Sequence, residues 1–131
     1  VKKAVASIDD NWDIEILEMH HRNKVDAPSG TALALGKVAS DTKNIKFEKV
    51  SKLSREGKVG ERKTNEIGFA TLRGGSVVGD HSIILAHDDE RIELTHKASN
   101  RKIYANGAVK AAIWCSQKEK GLFDMSKVLG L

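Results

Sequence analysis

Apolar and acidic residues alternate in WDIEILEM (residues 12–19), where Ile14 and Ile16 fall on one side and Asp13 and Glu15 on the other. A period of two marks a half-buried strand. Ahead of it, Ala4, Val5 and Ile8 form a short helical stripe that the Asp-Asp-Asn cluster at 9–11 ends. Beyond it the period changes: in SGTALALGKVAS (29–40), Ala32, Leu35 and Val38 share one helical face and Ser29 stands at the N-cap position. IKFEKVSKL (45–53) predicts a second strand, and the order strand, helix, strand favours a crossover with parallel pairing. SREGKVGERKTNE (54–66) has many charges and no period, which predicts a long, mobile loop.

Three further strands are predicted in IGFATLR, SVVGDHSIILAH and RIELTHK, joined by short polar turns that favour antiparallel pairing. In the middle one, Val77, Ile83 and Leu85 alternate with Val78, Ile84 and Ala86, so both faces are apolar. One long helix can cover only one of them, and association with a second subunit is the simplest cover for the other. From Asn106, NGAVKAAIWCSQKEKG predicts a helix capped by Asn106 and ending near Gly121. The expected fold is α+β: a mixed β-sheet with a helix on one face, a subunit interface on the other, and a C-terminal helix.

Composition narrows the partners. The 131 residues suit one domain with an aliphatic core, since only 5% of them are aromatic. The formal net charge of +4 comes from 22 bases interspersed with 18 acids, without a basic run, so small anions fit better than nucleic acid. A single cysteine, Cys115, excludes an internal disulfide framework and suits a reducing, cytoplasmic compartment. No apolar run approaches the ~20 residues of a membrane span, and VKKAVASIDD lacks the apolar core of a signal peptide.

The candidate chemistry lies in HHRNKVDAPSGTA (20–32). His20 can give or take a proton near neutral pH, and Lys24 offers a compact positive charge for a carboxylate. Ser29, Gly30 and Thr31 present backbone N–H groups at a helix start, an anion site that glycine leaves open to close approach. Such a stretch could hold a small dicarboxylate with a proton donor between its ends. It could equally be a solvated turn with a capped helix behind it, and the residues alone leave both readings open. No metal is expected, because the adjacent histidines lack the i, i+4 spacing of HExxH.

EMHHRNKVDAPSGTA resembles the signature of the bacterial dihydrodipicolinate reductase (4-hydroxy-tetrahydrodipicolinate reductase) family of lysine and diaminopimelate synthesis. SREGKVGER, IGFATLRGGSVVGDHSIILA, ERIELTHKASNR, ANGAVKAAIW and GLFDMSKVL resemble family segments in the same order, so the similarity spans essentially the whole chain. Asn23 sits where some members carry another polar residue. The resemblance implies that His20 is the proton donor completing reduction and that Lys24 assists it and binds substrate. It further implies that His21 contacts a substrate carboxylate, that Gly30 and Thr31 hold one at the helix start, and that the domain forms tetramers through its sheet.

Family members begin with a dinucleotide-binding domain, and RGGSVVG has neither the spacing nor the following helix of its glycine fingerprint. The chain is therefore expected to be the C-terminal part of a reductase whose NADPH or NADH is bound mainly by another domain. Residues 1–11 would end a linker helix, 12–100 would form the substrate-binding and oligomerisation domain, and 101–131 a helical segment that packs on the nucleotide domain. A non-catalytic module assembling through its sheet is the alternative, with a nucleic-acid binder a distant third.

Overall fold

The alternation in WDIEILEM is realised as β1 (Asp13–His20) in the computed structural model, which describes all 131 residues. Preceding it is the short helix α1 (Lys2–Ala6), and after a turn comes α2 (Gly30–Thr42), whose N-cap Ser29 accepts a hydrogen bond from the Ala32 N–H. A single turn of helix, α3 (Phe47–Val50), leads into the two-residue strand β2 (Ser51–Lys52). Three strands follow: β3 (Ile67–Arg73), β4 (Gly79–Ala86) and β5 (Arg91–Ala98). The sheet is mixed and has the order β2-β3-β1-β4-β5, with β1 parallel to β3 and antiparallel to β4. This is an α+β fold.

The core lies between the sheet and α2. Ile14 and Ile16 of β1, Ile67 and Phe69 of β3, and Ile83 and Leu85 of β4 are buried on the face that α2 covers. Fully burying such side chains is worth ~1.5–3 kcal/mol each, so this apolar cluster, not surface charge, dominates the folding energy. Ala32, Gly36, Ala39 and Ser40 form the buried stripe of α2. The stripe expected from the sequence differs, for Leu35 is half-buried and Val38 exposed. Small residues face the sheet because the helix lies very close to it. A Cβ on Gly36 would stand 2.5 Å from the Phe69 ring and 2.9 Å from that of Phe47.

Three other expectations change. Of IKFEKVSKL only Ser51–Lys52 is strand, and Phe47–Val50 form the helical turn α3, because Phe47 and Val50 are spaced to share a helical face. The Phe47 ring meets that of Phe69 edge-on with centroids 6.1 Å apart, and both lie against Gly36 of α2. The parallel partner of β1 is consequently β3, while β2 pairs only with the outer side of β3. Val77 and Val78 precede β4; its alternating faces are Ile83 and Leu85 against Ile84 and Ala86. The face away from α2 carries half-buried Leu17 and Ile84 and exposed Ala70 and Leu72, with no helix of this unit over it.

Residues 53–66 have no regular structure, yet two arginines tie them to β1. Arg55 bonds both carboxylate oxygens of Glu15 at 2.8 Å and reaches Glu66 at 2.6 Å; Arg62 bonds Asp13, Glu15 and the Ile14 carbonyl. Burial pushes the Glu15 carboxyl up, and the two guanidinium groups outweigh it and hold the group below its usual range.

Residues Val1–Lys97 form one unit and Ala98–Leu131 a second. Within the second, α4 (Lys102–Cys115) begins earlier than Asn106, which lies inside it; Asn100 instead accepts the Lys102 N–H through its side chain. The helix α5 (Met125–Leu129) is capped by Asp124, and the Trp114 and Phe123 rings meet edge-on at 5.1 Å. No helix is long and apolar enough to cross a membrane.

The approach of α2 to the sheet is testable. Gly36→Ala adds a methyl against two aromatic rings, which overpacks the core by ~1–3 kcal/mol. The gain in helix propensity, ~1 kcal/mol, offsets only part of it. Denaturant unfolding should show a lower midpoint with an unchanged slope, and a variant as stable as the parent would refute the close approach.

Candidate functional site

The period of two that buries Ile14 and Ile16 continues along β1 to Glu18 and His20. The matching positions on the neighbouring strands are Thr71 and Arg73 of β3 and His81 of β4, since Glu18 pairs with both Thr71 and His81 and His20 with Arg73. One face of the sheet is thus apolar at one end and charged at the other. The charged end lies at the carboxyl ends of the parallel strands, where α2 begins, the usual place for a ligand in an open sheet of this kind.

Glu18 is the centre of it. Its side chain is 1% exposed. Oε1 accepts from the Ser29 N–H (3.0 Å) and from Arg73 (2.8 Å), and Oε2 accepts from Arg73 (2.8 Å) and meets His20 Nδ1 (2.6 Å). Burial raises the affinity of this carboxyl for a proton, but the Arg73, His20 and Ser29 donors prevail and hold it below the usual carboxylate range. The bidentate bond to Glu18 raises the Arg73 guanidinium in turn. Arg73 also donates to the Asp26 carbonyl at 2.7 Å and so ties down the loop between β1 and α2.

His81 lies beneath. Its Nε2 is 3.0 Å from Ser29 Oγ, which also accepts the Ala32 N–H at 3.2 Å, so the serine proton is free to point to the imidazole. Burial, with the neighbouring His20 adding to it, pushes His81 below its ordinary value and favours the neutral ring. The His20 and His81 rings meet edge-on with centroids 5.0 Å apart.

At the start of α2 the backbone donors divide cleanly. Ser29 N–H goes to Glu18, Ala32 N–H to Ser29 Oγ and Leu33 N–H to the Ser29 carbonyl. Gly30 and Thr31 keep N–H groups that no protein acceptor uses, the donors a helix end offers to an anion. A Cβ on Gly30 would meet nothing within 4 Å, so the fold itself does not require glycine there.

Of the residues singled out from the sequence, His20 and the Gly30–Thr31 helix start are drawn together through Glu18. Lys24 lies on the intervening loop, its Nζ 2.7 Å from Asp26 Oδ1 and its N–H bonded to the His21 carbonyl. The Lys24 ammonium, together with Arg73, lowers the Asp26 carboxyl. His21 lines an open depression with Arg22, Asn23, Gly75 and Ser76, and no hydrogen bond joins its ring to Lys24, Gly30 or Thr31. Sequence reasoning missed Glu18, Arg73 and His81. For Glu18 the signal was present, because it continues the Ile14, Ile16 phase and is therefore a charged residue on a core-facing position.

Curated relatives cover the chain from end to end. Proteins called 4-hydroxy-tetrahydrodipicolinate reductase are 55% identical over 131 residues in Parvibaculum lavamentivorans, where the match takes in 100% of this chain and 48% of the relative. The counterpart from Afipia carboxidovorans is 56% identical, with the same coverage of 100% and 48%. That from Zymomonas mobilis is 52% identical over 100% of this chain and 52% of its own length. The chain thus spans about half the length of the curated relatives it matches. The fold is similar to that of a dipicolinate-bound dihydrodipicolinate reductase from Paenisporosarcina sp. TG-14, with a TM-score of 0.61 and 24% identity over 82% of this chain and 40% of that one. Residues 1–129 match the family model described as dihydrodipicolinate reductase, C-terminus, and the chain belongs to that family.

Proposed function

We propose that this chain is the substrate-binding and oligomerisation part of an NAD(P)H-dependent 4-hydroxy-tetrahydrodipicolinate reductase acting in lysine and diaminopimelate biosynthesis. The observation that carries the reading is the pair of unused N–H groups on Gly30 and Thr31, held beside His20 by one carboxylate. One carboxylate of the substrate is received by those N–H groups, with His21 as a further contact, and Lys24 exchanges its bond to Asp26 for the second. His20 gives a proton through Nε2, since Nδ1 faces Glu18, and Lys24 assists. Dipicolinate, bound in the structural neighbour, is a dicarboxylate of this kind.

The Gly74–Gly75 turn joins β3 to β4, a strand, and so is not the strand-to-helix turn that cradles a dinucleotide. NADPH or NADH is accordingly assigned to a nucleotide-binding domain outside these residues, with residues 1–11 leading from it, 12–100 forming the substrate domain and 101–131 packing on it. When bound, the nicotinamide supplies the hydride. The residues of this chain bind and orient the substrate and deliver the proton. The apolar sheet face of Leu17, Leu72 and Ile84 supports self-association, most simply as a tetramer.

Binding of pyridine-2,6-dicarboxylate separates this reading from a non-catalytic assembly module. Gly30→Ala should leave thermal stability nearly unchanged, because the methyl enters open space, yet weaken dicarboxylate binding measured by calorimetry. Lys24→Ala should weaken it by about 1.5–3 kcal/mol, the size of a hydrogen bond between charged groups. Unchanged affinity in both variants would leave the stretch a solvated turn.

In the full-length reductase, His20→Gln should lower kcat by roughly 10²–10⁴-fold with little change in KM, as expected for a lost general acid. A raised KM with kcat intact would make His20 a ligand-holding residue. Sedimentation velocity at micromolar concentration should find an oligomer, whereas a monomer would remove the sheet interface from the proposal.

A further inference from the structure

Glu18 makes four polar contacts, two on each oxygen: Arg73 and Ser29 N–H on Oε1, Arg73 and His20 Nδ1 on Oε2. An ionised carboxylate is an acceptor only, so a ring nitrogen 2.6 Å from it must be the protonated one. We propose that Glu18 is the positioning residue for His20: it fixes the proton on Nδ1, and so dedicates Nε2 to proton delivery. This rests on the reading of His20 as the proton donor. It adds a group that the sequence pattern did not single out and gives it a defined chemical task.

The proton balance follows from the geometry. The imidazolium carries Nδ1–H, bonded to Glu18, and Nε2–H, which is transferred to the carbon that remains electron-rich after hydride addition. What is left is the neutral Nδ1–H tautomer that Glu18 already holds. A proton from solvent returns to Nε2 without any rearrangement of the ring. If Glu18 did not hold Nδ1, the neutral ring could carry its proton on either nitrogen and could turn about its side-chain bonds. The His81 ring, packed edge-to-face with centroids 5.0 Å apart, limits that turning, and His81 is itself held by Ser29 Oγ.

Arg73 makes the arrangement tolerable. A buried carboxylate without a counter-ion would take up a proton, and a protonated Glu18 could no longer fix the tautomer. The bidentate guanidinium leaves each oxygen one further acceptor position, filled by His20 on Oε2 and Ser29 N–H on Oε1. A purely structural ion pair would need only Arg73 and Glu18. The other two bonds go to the proton donor and to the first residue of the anion-binding turn, and they set the position of one relative to the other.

The test uses the full-length reductase with ¹⁵N-labelled histidine. In the parent enzyme, the neutral His20 ring should show the ¹⁵N shifts of the Nδ1–H tautomer; a ring protonated on Nε2 overturns the proposal without recourse to any variant. Glu18→Gln, whose amide oxygen can still accept from Ser29 N–H, should lower kcat by about 10-fold or more while KM for the dicarboxylate changes little, and should shift the His20 tautomer signals. Adding Glu18→Gln to His20→Gln should cause little further loss, because both changes remove one function. An additive loss, or a full-activity Glu18→Gln, overturns the positioning role. If His20→Gln itself keeps full kcat, the proton-donor reading falls instead, so the two failures are distinguishable.

Discussion

A carboxylate that is 1% exposed at the end of a strand is a burden on folding unless every one of its acceptor positions is filled, and the region around Glu18 is arranged to fill them. Arg73 comes from β3, Ser29 from the start of α2, and His20 from β1 itself. Each donor belongs to a different element. Satisfying this one charge therefore fixes where the strand end, the helix start and the intervening loop lie relative to one another. The loop follows because Arg73 also holds the Asp26 carbonyl, two residues from Lys24. In a low-dielectric setting such bonds strengthen one another, which holds the groups around Glu18 in place.

The apolar half of the same sheet face serves this polar end. Helix α2 presents Ala32, Gly36 and Ala39 to the strands, so its axis lies close over Ile16 and Phe69. A helix carrying larger residues on that stripe would sit higher, and the Ser29 N–H would lose its reach to Glu18. Packing in the core and geometry in the site are thus the same constraint seen at two ends of one helix. On the opposite face, the Arg55 and Arg62 bonds to Glu15 organise residues that have no regular structure of their own. They are half-exposed ion pairs and set the loop's position more than they add to stability.

Local periodicity made β1, α2, β3, β4 and β5 legible, because alternation and helical spacing are properties of neighbouring residues. The N-cap at Ser29 was legible for the same reason, as was the HHRNKVDAPSGTA stretch with its concentration of cationic groups. Segments whose fate depends on distant partners are not legible in this way. IKFEKVSKL alternates well enough for a strand, but Phe47 is drawn into a helical turn by the Phe69 ring and the gap left at Gly36. Asn106 is a good capping residue in isolation, yet α4 already starts at Lys102 with Asn100 closing its end.

Resemblance along the whole chain pointed to the family; what local pattern determined by itself was the type of most elements and the residues carrying titratable groups, a charge and a helix start. Those depend on side-chain chemistry and on spacings of a few residues. Only the tertiary structure decided the strand order, which puts β3 and not β2 beside β1, and with it the meeting of Glu18, Arg73 and His81. These three are separated by 55 positions between Glu18 and Arg73 and by register across strands, so no local pattern joins them. The strand order follows from burying the apolar face of β1, β3 and β4 under α2, and Glu18, Arg73 and His81 meet because that order sets which strands lie side by side.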